Sequence, residues 1–200
     1  YPDRQGTYQC FDQVATIKQF AKSSEAVPSF DRIPEMMRRA LRKCFEGRPG
    51  VVHIDIPENI MNTKVKCDIA FWEPHQYRMI ELPKASDYQI ERTAQLLTSA
   101  NFPIIHAGSG VIHSGAKEEL KQVAEKLQAM VTTSWAGRGA LDENNPLAVS
   151  MVHIEANNHV RNDADVVLVL GSRLGETDWW GKAPYWNASQ KVIQVDIDPS

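Results

Sequence analysis

Two hundred residues, 42% of them hydrophobic and 24% charged, hold enough apolar material for one full core and part of another, which argues against a disordered chain. The formal charge of −3 gives no electrostatic case for nucleic acid or an anionic membrane as partner, and no apolar run approaches the roughly 20 residues of a bilayer span. Cys10, Cys44 and Cys67 are an odd set with no CxxC and no His-bearing metal spacing, so neither a disulfide framework nor a zinc site is supported and a reducing, cytoplasmic setting is expected.

The N-terminal Tyr1-Pro2-Asp3-Arg4 has no signal-peptide shape. Asp31 is placed to cap a helix running to about Glu46, with Ile33, Met36, Met37, Ala40, Leu41 and Cys44 forming one apolar stripe. Gly47-Arg48-Pro49-Gly50 then turns the chain into a strand, Val51 to Ile56, which Pro57 stops. Only 46 residues precede Gly47, whereas a parallel α/β domain takes roughly 100 to 200, so the front of this domain is expected to lie outside the chain. From Glu58 to about Ala85 no period is sustained, which reads as a linker. Ser86 with Gln89 makes a capping box that opens a second domain, with Ile90, Ala94 and Leu97 on one helix face.

Elements then alternate: strand 103–107, helix 115–129, strand 130–134, a turn-rich stretch, helix 153–162, strand 166–171 and strand 192–197. Apolar strands alternating with amphipathic helices predict an α/β fold, a doubly wound, mostly parallel Rossmann-like sheet preceded by a partial α/β domain.

Candidate chemistry collects at the carboxyl ends of these strands, where open α/β sheets place ligands. Gly108-Ser109-Gly110 follows a strand and precedes a helix, as a pyrophosphate site requires, but His113 stands where the dinucleotide fingerprint has its third glycine; a plain tight turn explains the glycines equally well. Gly171-Ser172-Arg173 offers a cation for a phosphate, and Asp196 an acceptor for a ribose or adenine group; the plainer reading pairs Arg173 and Asp196 with neighbours on the rim. His53 and His106 fall inside strands and read as structural, while His153 opens a helix and serves either a pocket or a turn. Trp179, Trp180 and Trp186 crowd one loop and are expected to pack on another domain rather than to cover a ligand.

Tyr8-Gln9, Gly47-Arg48-Pro49-Gly50 with Asp55-Ile56-Pro57, Gly108-Ser109-Gly110, Gly171-Ser172-Arg173 and Asp196-Ile197-Asp198-Pro199 together resemble the thiamine-diphosphate-dependent enzymes of the acetolactate synthase group. The order and spacing agree over essentially the whole chain. The resemblance implies that residues 1–60 form the C-terminal part of a pyrimidine-binding domain, 61–85 a linker, and 86–200 a central domain of nucleotide-binding type, with a pyrophosphate-binding domain absent. It further implies a homodimer or tetramer, whose remaining domains complete a site for thiamine diphosphate and Mg2+ between subunits. The implied activity is that of a transferase or lyase acting on a 2-keto acid or related acyl donor: a thiazolium ylid adds to a carbonyl, a C–C bond is cleaved, and the carbanion passes to an acceptor.

In that family a glutamate early in the first domain activates the cofactor and a Gly-Asp-Gly motif in the third holds the metal. Neither is found in this sequence, so no catalysis is expected of the chain alone. By the same resemblance Gln9 lines the substrate end of the cofactor. Positions that touch FAD in acetolactate synthases correspond to Ser109, Gly110, Ser134, Trp135, His153, Gly171, Ser172, Arg173, Glu176, Asp196 and Ile197. Ser109 replaces a glycine of the family's turn and Trp135 a smaller aliphatic residue, which leaves FAD, ADP, coenzyme A or an empty domain open; an indole there can stack on an adenine or fill the space. The alternative is a stand-alone nucleotide-binding or interaction module without thiamine chemistry.

Overall fold

The computed structural model describes residues 11–66, 68–78 and 82–198, and the chain divides into two compact units, Tyr1–Leu82 and Pro83–Ser200. Gln9, Cys10 and Cys67 lie outside the described residues.

In the first unit, helix α1 (Gln13–Lys18) starts at Asp12, whose carboxylate accepts the Ala15 N–H at 2.8 Å. Strand β1 (Ser23–Ala26) pairs in parallel with β2 (Val52–Asp55), in register from Ser23 with Val52 to Ala26 with Asp55. Nothing in Ser-Ser-Glu-Ala signals a strand; its backbone pairing with the branched β2 makes it one. Between them stands α2 (Ile33–Phe45), which buries Met36 and Ala40 and leaves Met37 and Leu41 exposed. Asp31 does not cap it: Phe30–Arg32 forms a 3-10 turn, and α2 begins after Arg32 with Pro34 in its first turn, where a missing N–H costs nothing. A short helix α3 (Glu58–Met61) follows β2 and packs Ile60 against Val27 and Met36. His53 is structural, its Nδ1 2.8 Å from the Ser24 hydroxyl.

The second unit is a four-stranded parallel sheet in the order β4-β3-β5-β6. Helix α4 (Asp87–Thr98) begins at the capping box, with the Gln89 N–H donated to Ser86 Oγ at 3.3 Å and the Ser86 N–H to Gln89 Oε1 at 2.9 Å. Its inner face is only partly the expected one: Leu97 is buried in the core, but Ile90 and Ala94 are exposed, and the half-buried Thr93 and Leu96 share the inner stripe with Leu97, an equally valid helical spacing. Strand β3 (Pro103–Ala107) leads into a short helix α5 (Ser109–His113), which the sequence reading missed, and Gly115 at φ +73° turns the chain into α6 (Lys117–Leu127). Then come β4 (Met130–Thr133), α7 (Ile154–Asp163), β5 (Val166–Leu170) and β6 (Lys191–Val195). Asp196 and Ile197, expected inside the last strand, lie just beyond it.

Side-chain alternation covers both sheet faces. Ile105, Ala107, Val131, Val166 and Leu168 pack against Leu97, Val111, Leu120 and Ala124 of α4, α5 and α6. Ile104, Val167 and Val169 turn the other way, against Val160 of α7, Trp180 and Trp186. No α-helix joins β5 to β6, so these tryptophans supply the apolar cover that a crossover helix gives elsewhere in such sheets. That corrects the expectation of packing on another domain: Trp186 is 3% exposed and Trp180 meets it edge to face at 4.7 Å, both within their own unit. Trp179 stays half exposed beside Tyr185. Among the described residues, no helix is long and apolar enough to cross a membrane.

Candidate functional site

All four strands of the second unit end at one edge. The chain leaves β3 for β4 on one side and returns to β5 on the other, which makes the β3–β5 junction the topological switch point where such sheets open a crevice. There two glycine turns meet backbone to backbone. The Gly108 N–H donates to the Leu170 carbonyl at 2.8 Å and the Gly110 N–H to the Gly171 carbonyl at 3.0 Å. A methyl group on Gly108 would stand 2.2 Å from the Gly171 oxygen, and one on Gly171 would stand 2.5 Å from Gly110 Cα. Glycine is required for this approach, and the Gly110 amide is spent inside the chain rather than offered to a phosphate.

Further hydrogen bonds fasten the other strand ends to this junction. Ser134 donates its N–H to the Ala107 carbonyl at 3.1 Å, and its Oγ accepts from Gly137 N–H at 3.1 Å. Gly171 donates its N–H to Val195 at 2.8 Å, and Gln194 Nε2 donates to the Ser172 carbonyl at 3.0 Å. Of the sequence-predicted residues, Gly110, Ser134, Gly171 and Ser172 are thereby drawn into one connected edge, and Ser109 lies between the bonded Gly108 and Gly110.

The others stand around it without being tied in. Trp135 opens a 3-10 turn (Trp135–Gly137) after β4 and is 65% exposed, an indole face without a cover among the described residues. Arg173 is exposed and makes no hydrogen bond or ion pair among the described residues. Asp196 accepts the Asp198 N–H at 3.0 Å in a local turn. His153 precedes α7 and is exposed, its carbonyl taking the Asn157 N–H at 3.0 Å; Glu176 opens an exposed 3-10 turn, and Ile197 is exposed. Gln9 lies outside the described residues. Three or more His, Cys, Asp or Glu side chains placed to hold a metal ion are not found among the described residues.

Behind the edge, on the Trp186 face, lies a buried polar cluster that the sequence reading did not assemble. His106 and Thr132, both 0% exposed, share a hydrogen bond of 3.0 Å between Nδ1 and the hydroxyl. His106 Nε2 is 3.7 Å from Asp178 Oδ1, and the Asp178 carbonyl accepts the Trp186 indole N–H at 2.7 Å. Burial lowers the His106 pKa below its ordinary 6.5 and the Arg161 charge depresses it further, while the Asp178 carboxylate opposes. At 3.7 Å that carboxylate is too far for a strong hydrogen bond, so burial wins and favours the neutral imidazole. Arg161 of α7 completes the cluster, 7% exposed, its Nη2 donating to the Thr133 carbonyl at 3.2 Å. These residues come from positions 106, 132, 161, 178 and 186, and only a polar residue inside an apolar strand, His106, marked the cluster in the sequence.

Residues 90–200 match the family model described as thiamine pyrophosphate enzyme, central domain. A probable acetolactate synthase large subunit of Methanocaldococcus jannaschii is 31% identical over 205 residues, covering 96% of this chain and 33% of that protein. The 2-hydroxyacyl-CoA lyase of Arabidopsis thaliana is 30% identical over 196 residues (96% of this chain, 34% of that protein), and the human 2-hydroxyacyl-CoA lyase 1 is 28% identical over 193 residues (96% and 32%). The chain spans about a third of the length of the curated relatives it matches.

Proposed function

The chain belongs to the thiamine pyrophosphate enzyme family through its central domain, and from that premise we propose that it is a segment of an acetolactate synthase-like enzyme whose second unit carries a nucleotide at the carboxyl edge of its sheet. In this reading residues 1–60 are the end of the pyrimidine-binding domain and 61–85 a linker, and the other domains and a second subunit complete the thiamine diphosphate and Mg2+ site. Thiamine diphosphate, when bound, supplies the electron sink for breaking or making a C–C bond next to the carbonyl of a 2-keto acid or acyl donor. The segment alone carries out no turnover. Relatives named acetolactate synthase and 2-hydroxyacyl-CoA lyase support the two substrate classes equally.

What this chain contributes is the nucleotide platform. The observation that carries the reading is the exposed Arg173 at the switch point, which has no hydrogen-bond or ion-pair partner among the described residues and directly follows Ser172, whose hydroxyl accepts the Leu174 N–H at 3.3 Å. A guanidinium so placed binds a phosphate through two parallel hydrogen bonds. Trp135 offers its face to a base, and Asp196 accepts from a ribose hydroxyl or an exocyclic amine. The glycine amides take little part, because those of Gly108 and Gly110 are already bonded within the sheet edge. FAD, ADP and coenzyme A all present the adenine and phosphate groups this set can hold.

The enzymatic half of the reading is tested on the natural reading frame: a Gly-Asp-Gly segment downstream and a glutamate-bearing first domain upstream are expected. A stop codon directly after Ser200 and no coding sequence before Tyr1 would leave the stand-alone module instead.

A further inference from the structure

We propose that Arg161 is a positioning residue that braces the two loops of the carboxyl edge, holding the Trp135 turn after β4 and the Arg173–Asp178 segment after β5 in one fixed relation. For its ligand the proposal rests on the nucleotide reading above. The guanidinium reaches from α7 to two backbone carbonyls: Nη2 donates to Thr133 at 3.2 Å, and Nη1 donates to Asp178 at 3.5 Å. Thr133 is the last residue of β4, immediately before Ser134 and Trp135, and Asp178 closes the 3-10 turn that starts at Glu176. The indole of Trp186 donates to the same Asp178 carbonyl at 2.7 Å and lies with its ring centre 5.0 Å from the guanidinium carbon.

A buried cation is a poor device for mere filling. Burial lowers the Arg161 pKa, the Asp178 carboxylate opposes that shift, and Arg161 Nε is buried without a hydrogen-bond partner. An apolar side chain of similar length would fill the space without that desolvation cost. What it could not do is donate in two directions from one planar group, to carbonyls that belong to two different loops. The far end of the residue is also held, since Gln190 Nε2 donates to the Arg161 and Ala164 carbonyls, so the guanidinium works from a fixed stem. Arg161 touches neither Trp135 nor Arg173; it acts through the backbone that carries them.

The test compares the full chain with Arg161→Met and Arg161→Lys by amide hydrogen exchange without ligand and by titration with ADP, read as a dissociation constant. In Arg161→Met, exchange at residues 134–137 and 174–182 is expected to rise at least about tenfold while β3 and α6 exchange as before, and ADP binding is expected to weaken about tenfold. Arg161→Lys, which reaches one carbonyl but not both, falls between. Exchange unchanged in both loops, or a uniform rise across the unit with affinity following stability, overturns the proposal. If the unaltered chain binds no ADP, FAD or coenzyme A, the nucleotide reading fails and exchange alone decides whether Arg161 braces the loops. Should Arg161→Met not fold, Arg161→Lys carries the same comparison, and equal exchange in both loops overturns the brace.

Discussion

Gly171→Ala tests whether the carboxyl edge is built on backbone contact. Gly171 has φ +55°, and an added methyl group would stand 2.5 Å from Gly110 Cα, 2.9 Å from its carbonyl carbon and 3.0 Å from its nitrogen. Left-handed backbone costs an alanine about 1–2 kcal/mol. The clash adds about 1–3 kcal/mol, because the facing atoms are backbone and cannot rotate away. Restricting the unfolded chain returns about 0.4–1 kcal/mol. The net expectation is a loss of about 1–4.5 kcal/mol. Gly115→Ala isolates the clash, since Gly115 has φ +73° with nothing within 4 Å of the added carbon. It should cost about 1.5 kcal/mol or less. Urea denaturation followed by tryptophan fluorescence in a Trp72→Phe background reads the second unit, which holds the other four tryptophans. With a slope of about 2 kcal/mol per molar, the Gly171→Ala midpoint drops by about 0.5–2 M relative to the parent. Equal midpoints for the two alanine variants would refute the reasoning.

The buried imidazole makes stability depend on pH. His106 has its folded pKa below 6.5, so on acidification the unfolded chain takes up the proton first, and stability is lost as pH falls below 6.5 until the folded value is reached. The loss is about 1.4 kcal/mol per pH unit in that window, and His106→Leu removes it; parallel melting curves for the two proteins between pH 7.5 and 5.5 would contradict this. Asp165 accepts the N–H groups of Asn101 at 2.7 Å and Phe102 at 3.0 Å, and although burial resists its ionisation these bonds leave its carboxyl below the usual 3.8. Asp165→Ala removes the acceptor of both donors, one of them half-buried, and should cost about 0.5–1.5 kcal/mol in a melting experiment, with Asp165→Asn milder; its contribution is present above pH 3.8 and lost as pH falls through the folded value. Trp186→Ala should cost about 3–5 kcal/mol, and Trp186→Phe less, since the phenyl ring keeps most of the packing and loses the bond to Asp178; equal losses would mean the ring does not fill the face.

Local signals in the sequence translated well. The Ser86–Gln89 capping box, the apolar runs of β3 and β5 and the strand-end positions of residues 108–110 and 171–173 need only near neighbours to be read. Non-local events did not translate. β1 is a strand because β2 lies beside it, although its own residues are polar. The inner face of α4 is set by how the sheet meets the helix, and two competing stripes in the sequence gave no means of choosing. Tryptophans crowded in a loop signalled burial but not against what, because the absent crossover helix between β5 and β6 shows only in the folded unit. At the site, Gly108 and Gly110 announced a tight turn; that they meet Gly171 across the switch point, and use their amides there, depends on a strand about sixty residues away. The Arg161 brace is of the same kind, since a helical arginine in sequence reads as solvated surface.

Titration of the chain with ADP, FAD and coenzyme A, beside Arg173→Ala, tests the central claim most directly. At least one of the three is expected to bind and to change Trp135 fluorescence, with Arg173→Ala weakening it by about tenfold or more through the lost bidentate phosphate contact. Failure of all three to bind, or an affinity that Arg173→Ala leaves unchanged, would contradict a nucleotide site at this edge.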